Sequence, residues 1–146
     1  MKHQHFDVGT VGFYGAYWAC AGGSDCAVIA MIGDDPEDRL VRSAVKWLCG
    51  RGVNVLTMSP AKKDYGHHNY PLERVETAIS WLKVNGNHKI GIAGASTTGT
   101  LALTAAAMFP DVTLTIAMTP SDFVWQGFMQ GKRDGCKEWP VEGESL

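Results

Sequence analysis

An α/β fold, a three-layer αβα sandwich on a mostly parallel sheet, is what this sequence predicts, and three observations predict it. Between residues 27 and 118, continuous apolar runs rich in β-branched side chains alternate with amphipathic stretches. Continuous runs mark strands covered on both faces, whereas half-buried strands alternate polar and apolar. The amphipathic stretches are bracketed by helix start and stop signals. The resulting order, β-α-β-α-β-α-β, demands crossover connections, and these place helices on both faces of a parallel sheet.

The elements follow in order. Residues 6–18 are aromatic and glycine-rich and predict antiparallel strands added at one edge. Residues 27–32 form the first central strand, bounded by Gly23-Ser24-Asp25 and Gly33-Asp34-Asp35. Asp35-Pro36-Glu37-Asp38 then offers an N-cap, a proline at the first helical position and two acids for the first turn. Leu40, Val41, Ala44, Val45, Trp47 and Leu48 recur at helical spacing until Gly50 or Gly52 stops them. Residues 53–58 are the next strand, and a polar loop over 59–69 leads to Pro71. Leu72, Val75, Ala78, Ile79 and Leu82 mark a second helix that ends at Asn85-Gly86, and residues 89–93 form a short strand. From Thr97 a helix of small residues, Ala102, Ala105, Ala106 and Ala107 among them, runs to Phe109 and Pro110, close against the sheet. Residues 112–118 close the series as a strand.

Composition narrows the partners. A chain of 146 residues with 45% apolar content can bury one sizeable core. Thirteen basic against 15 acidic residues leave a net charge of −2 with no basic stripe, which argues against nucleic acid. The longest apolar runs fall far short of the ~18 residues a membrane helix needs. Cys20, Cys26, Cys49 and Cys136 show no C-x-x-C spacing, so free thiols in a cytoplasmic protein are expected, without metal or cofactor. No repeat or linker divides the chain.

The chemistry concentrates at Gly94-Ala95-Ser96-Thr97-Thr98-Gly99. A serine on a sharp strand-to-helix turn has its hydroxyl lifted above the sheet, and its neighbours must be small because the backbone is crowded. Gly94 and Ala95 meet that demand. The common elbow reads G-x-S-x-G, whereas here Thr98 takes the fifth place and the glycine arrives at Gly99. The competing reading is a plain helix N-cap. A dinucleotide loop is a remote one, since Gly91, Gly94 and Gly99 do not give G-x-G-x-x-G.

Three stretches carry a family resemblance: Val28-Ile29-Ala30-Met31-Ile32-Gly33, the block from Leu72 through Ile90-Gly91-Ile92-Ala93-Gly94-Ala95-Ser96, and residues 116–127. In these the chain resembles the α/β-hydrolase family of acyl-CoA thioesterases and bile-acid-CoA:amino-acid N-acyltransferases, with dienelactone-hydrolase-like enzymes as neighbours. The resemblance implies an incomplete α/β-hydrolase fold, residues 1–146 being the N-terminal part of one domain. Residues 1–26 would be edge strands, 27–118 the parallel core and 119–146 a loop or the start of a cap. It implies Ser96 as nucleophile where the acyltransferase branch carries cysteine, favouring hydrolysis of an acyl ester or thioester. Oxyanion donors would be the backbone N–H groups of Thr97 and Asp34. Glycines usual in the latter loop are replaced here by Asp34 and Asp35, whose charges must turn away from a developing oxyanion.

The base is missing. His3, His5, His67, His68 and His88 all precede Ser96, whereas the fold delivers nucleophile, acid and histidine in that order. His67-His68 reads as a solvated loop pair. Asp122 is the candidate acid, with capping of a short helix as its plain alternative. A strand at 112–118 without its usual neighbours leaves a bare edge and apolar helix faces, so a C-terminal fragment or a second copy is expected to cover them. A cut in the exposed tail over 139–144 would produce such a fragment. A non-catalytic interaction module that kept the scaffold is the alternative function.

Overall fold

The chain runs through β1 (Lys2–Phe6), α1 (Val8–Val11), β2 (Gly15–Ala19), β3 (Cys26–Met31), α2 (Arg39–Cys49), β4 (Asn54–Met58), β5 (His67–His68), α3 (Glu73–Val84), β6 (Lys89–Ala95), α4 (Thr97–Met108), β7 (Val112–Met118) and β8 (Gly127–Phe128). The computed structural model describes residues 2–33, 35–59, 67–68, 70–121 and 127–128, and of residues 2, 67, 68, 127 and 128 the backbone alone.

Six strands form one sheet in the order β1-β2-β4-β3-β6-β7. β4, β3, β6 and β7 run parallel, and β1 and β2 join antiparallel at one edge; of the residues 6–18 read as edge strands, 8–11 instead form α1, and β1 lies earlier, at Lys2–Phe6. Successive side chains of a strand point to opposite faces, and β3 shows the consequence. Ile29 and Met31 pack with Val75, Ile79 and Leu82 of α3 and Ala102 and Ala105 of α4. Val28 and Ala30 pack with Val41 and Val45 of α2 on the other face. Helices therefore cover both faces, giving the three layers read from the sequence.

Three further details differ from expectation. First, α2 starts later. Asp35 accepts the Glu37 N–H at 2.9 Å in a tight turn, and Asp38 is the N-cap, accepting the Val41 N–H at 2.8 Å. Glu37 is thus outside the helix, and its carboxylate lies 2.6 Å from His3 Nε2 and 2.7 Å from His5 Nδ1. Second, Leu40 and Trp47 stay 60% and 57% exposed, so the buried stripe of α2 is narrower than its apolar stripe. Third, His67–His68 pairs antiparallel with Gly127–Phe128, placing a strand pair where a plain loop was expected.

Among the described residues, none covers the α2 side of β7. Leu114, Ile116 and Met118 share the face of Ala93 and stay 56%, 44% and 42% exposed. Arg42 and Cys49 mark the flank of α2 that faces β2, through the Trp18 ring and carbonyl. Leu40 and Trp47 lie on the opposite flank, toward β6 and β7. Leu40 and Trp47 on α2 and Leu114, Ile116 and Met118 on β7 are thus large apolar side chains left exposed among the described residues. At the other end of the strands, buried Asn87 accepts from Asn54 Nδ2 at 2.8 Å and donates to the Leu82 carbonyl at 3.2 Å, tying β4 to α3. Among the described residues, no helix is long and apolar enough to cross a membrane.

Candidate active site

β6 lies between β3 and β7 and ends at Ala95, and α4 begins at Thr97. Ser96 is the single residue that turns the chain, with φ 55° and ψ −122°. An L-residue there is strained by about 1–3 kcal/mol and persists only where its surroundings over-determine it. Those surroundings are visible. The Ser96 N–H donates to the Met118 carbonyl of β7 at 2.9 Å, and its carbonyl accepts from Gly99 N at 2.9 Å and Thr100 N at 3.2 Å. A Cβ at Gly94 would stand 2.0 Å from the Thr98 carbonyl oxygen, so only glycine lets strand and helix approach this closely. Thr119, just after β7, is the other non-glycine residue at positive φ among those described, at 45°. Both strained residues cap adjacent strands at the same edge of the sheet.

Ser96 is exposed and occupies the N-cap position of α4, yet its side chain makes no capping hydrogen bond. Its backbone is also not the extended one that capping serines adopt. The capping reading fails on both counts. Thr97 is half-buried as the first residue of α4, which puts its amide at the positive end of the helix, next to Ser96.

The remaining expected residues divide. Asp34 lies outside the described residues, but its loop leaves the sheet beside the elbow, because the last pair of the β3–β6 ladder is Met31 opposite Gly94. Carboxylates of this loop engage the Glu37 and Val41 amides through Asp35 and Asp38, and β1 through Glu37. Asp122 also lies outside the described residues. Its neighbour Ser121 donates its N–H to Thr100 Oγ1 at 2.9 Å, which anchors the end of the β7 loop to the first turns of α4.

The described histidines are remote from Ser96. His3 and His5 sit on β1, three strands from β3 in the sheet order. His88 precedes the seven-residue β6, so it stands roughly 25 Å away at the opposite edge. The side chains of His67 and His68 lie outside the described residues. At that opposite edge Asp25 is held below the usual carboxylate range by the Lys89 ammonium hydrogen-bonded to it at 3.1 Å. Burial pushes the Cys49 thiol up. Among the described residues no group of three His, Cys, Asp or Glu side chains is placed to hold a metal ion.

Sequence reasoning found the turn and its glycine but missed Thr98 and Thr100. Both are buried, and their hydroxyl partners come from distant segments. The only signal was that Thr98 breaks the usual pentapeptide.

No family model and no curated protein matches this chain. Solved structures do. An α/β hydrolase, GrgF, from Penicillium sp. sh18 is 24% identical with a TM-score of 0.66, over 82% of this chain and 45% of its own. An esterase of Pyrococcus furiosus is 19% identical with a TM-score of 0.59, over 80% and 56%. A cold-adapted esterase from an Arctic intertidal metagenomic library is 18% identical with a TM-score of 0.65, over 77% and 58%. The chain thus spans about half the length of these structures, and over that span it has the α/β-hydrolase fold.

Proposed function

We propose that this chain is the nucleophile-bearing part of a serine hydrolase acting on acyl esters or thioesters. The observation that carries it is Ser96: exposed, uncapped and held at φ 55° between a central strand and a helix of small residues. Strain of this kind has a use when it lifts a hydroxyl toward substrate. In the reaction, Ser96 Oγ attacks the acyl carbonyl while its proton passes to a base. The carbonyl oxygen, now anionic, is met by the Thr97 N–H at the start of α4 and by the Asp34 N–H from the loop after β3. Collapse expels the alcohol or thiol, protonated by the same base, and water then releases the acid from Ser96. Preference for a thioester rests on the family resemblance. That the similar structures are an α/β hydrolase and two esterases supports the reaction class.

The base, and an acid to orient it, come under this proposal from a C-terminal fragment or from a second copy, with Asp122 the candidate acid within this chain. The exposed stripe of Leu114, Ile116 and Met118 supports such a partner, since an apolar sheet face beside an edge strand that is unpaired among the described residues calls for a cover. A cytoplasmic location belongs to the same reading, supported by the free thiols of Cys20, Cys26 and Cys49.

The test is Ser96→Ala in the protein reconstituted with its base-bearing partner, followed by hydrolysis of p-nitrophenyl and thioester substrates. Activity should fall to background, and unchanged activity would remove Ser96 from the chemistry. A second reading, a non-catalytic interaction module, is favoured by the placement of His3, His5 and His88 away from Ser96. It requires a monomer that no serine-directed fluorophosphonate labels even with the partner present.

A further inference from the structure

We propose that Thr98 is a positioning residue whose hydroxyl fastens the Ser96 turn to the end of β3. This inference rests on the reading of Ser96 as nucleophile and goes one step further, to how the two sides of its oxyanion site are held in register. The usual elbow has glycine at the position of Thr98. Here the side chain is buried and placed at a junction. Its hydroxyl accepts the Ala95 N–H at 2.9 Å, and its own proton lies within reach of the Met31 carbonyl at 2.5 Å and the Ala95 carbonyl at 2.8 Å. Ala95 precedes the strained serine, and Met31 is the last residue of β3.

The location explains the function. The β3–β6 ladder ends at Met31 opposite Gly94, and beyond it the two chains part, one into Ser96 and the other into the loop that carries Asp34. A hydroxyl that bonds to both sides at the point of parting fixes the separation of the nucleophile from that loop. It also satisfies the Ala95 amide, a part-buried donor at the end of the ladder. The Met118 carbonyl holds Ser96 on the β7 side. Thr98 is therefore the matching tie on the β3 side, and Ser96 is braced from both neighbouring strands.

The experiment compares Thr98→Val, which keeps the shape without the hydroxyl, with Thr98→Ser, which keeps the hydroxyl without the methyl. In the 146-residue chain, the Ser96 13Cα and 13Cβ shifts report its backbone conformation. They should move in Thr98→Val and return to wild-type values in Thr98→Ser. With the base-bearing partner added, Thr98→Val should lower kcat about tenfold to a hundredfold at nearly constant KM, since displacement of a reacting group by ~1 Å costs that much. Unmoved shifts and unchanged kcat in Thr98→Val would overturn the proposal. Should Thr98→Val fail to fold, the wild-type chain still decides. A slowly exchanging Thr98 hydroxyl proton with cross-peaks to Met31 supports the tie, and a rapidly exchanging one overturns it. A normal Thr98 signature in a protein whose Ser96→Ala variant remains active would instead count against the nucleophile reading alone.

Discussion

The conformation of Ser96 can be tested without any substrate, by two substitutions that the competing explanations rank differently. At φ 55° and ψ −122° the residue occupies backbone space that glycine enters freely and an L-residue does not. Relief of that strain is worth about 1–3 kcal/mol, and the extra freedom glycine brings to the unfolded chain takes back roughly 0.5–1. Ser96→Gly should therefore be more stable than wild type by about 1 kcal/mol, or roughly 2–4 °C in Tm for a domain of this size. Ser96→Ala keeps the strain and loses no capping bond, so it should fall within about 0.5 kcal/mol of wild type. An ordinary capping serine behaves otherwise: alanine costs about 1 kcal/mol and glycine a few tenths. Urea and thermal unfolding followed by circular dichroism give both numbers. A Ser96→Gly variant less stable than wild type, with Ser96→Ala about 1 kcal/mol below it, would refute the strained-elbow reasoning.

Other perturbations probe the same frame. Gly94→Ala places a methyl 2.0 Å from the Thr98 carbonyl oxygen, and overpacking against backbone should cost about 3 kcal/mol, read as a lowered urea midpoint; a neutral result would mean the turn is looser than it looks. Asn87→Ala removes one of the two acceptors of the buried Asn54 Nδ2, leaving the Ser24 carbonyl, and should cost about 1–3 kcal/mol by the same assay. Ile116→Lys breaks the apolar stripe on β7 and should leave stability within about 0.5 kcal/mol while reducing self-association in sedimentation; unchanged association would show that the stripe is not the sticky surface. For pH, the Asp25 carboxyl is depressed by Lys89, so its contribution is present above the unfolded carboxylate pKa and lost as pH falls through the folded value. The stability gap between wild type and Lys89→Met should accordingly close below about pH 4, and a gap that persisted at lower pH would assign the effect to something other than this pair.

What the sequence made legible and what it hid separate along physical lines. The central strands could be read because burial on both faces demands an unbroken apolar run, as in Val28-Ile29-Ala30-Met31. The start of α2 was misplaced because Asp35 and Asp38 are equally good caps in isolation. The choice was made by the turn that Asp35 forms with Glu37 and by the two β1 histidines that hold the Glu37 carboxylate. Periodicity likewise put Leu40 and Trp47 on the apolar face of α2, but burial depends on what packs against that flank, and the described residues supply nothing there. The elbow was legible as a motif because its constraint is local. Thr98, Thr100 and Asn87 were not, because each is defined by a hydrogen-bond partner 21 to 67 residues away.

The exposed β7 stripe and the strained Ser96 are mechanically joined. Met118 supplies the exposed end of the Leu114, Ile116 and Met118 stripe, and its carbonyl is the acceptor that holds the Ser96 N–H. Complete burial of a large apolar side chain is worth about 1.5–3 kcal/mol, so covering the remaining half of each of these three would contribute roughly 2–5 kcal/mol. That is comparable with the 1–3 kcal/mol of strain estimated for Ser96. An element that packs onto the stripe therefore steadies β7 from outside and, through one hydrogen bond, the strained serine as well. Under the proposed function, cover and catalytic geometry are one problem, because the exposed stripe ends at the residue whose carbonyl holds the Ser96 N–H.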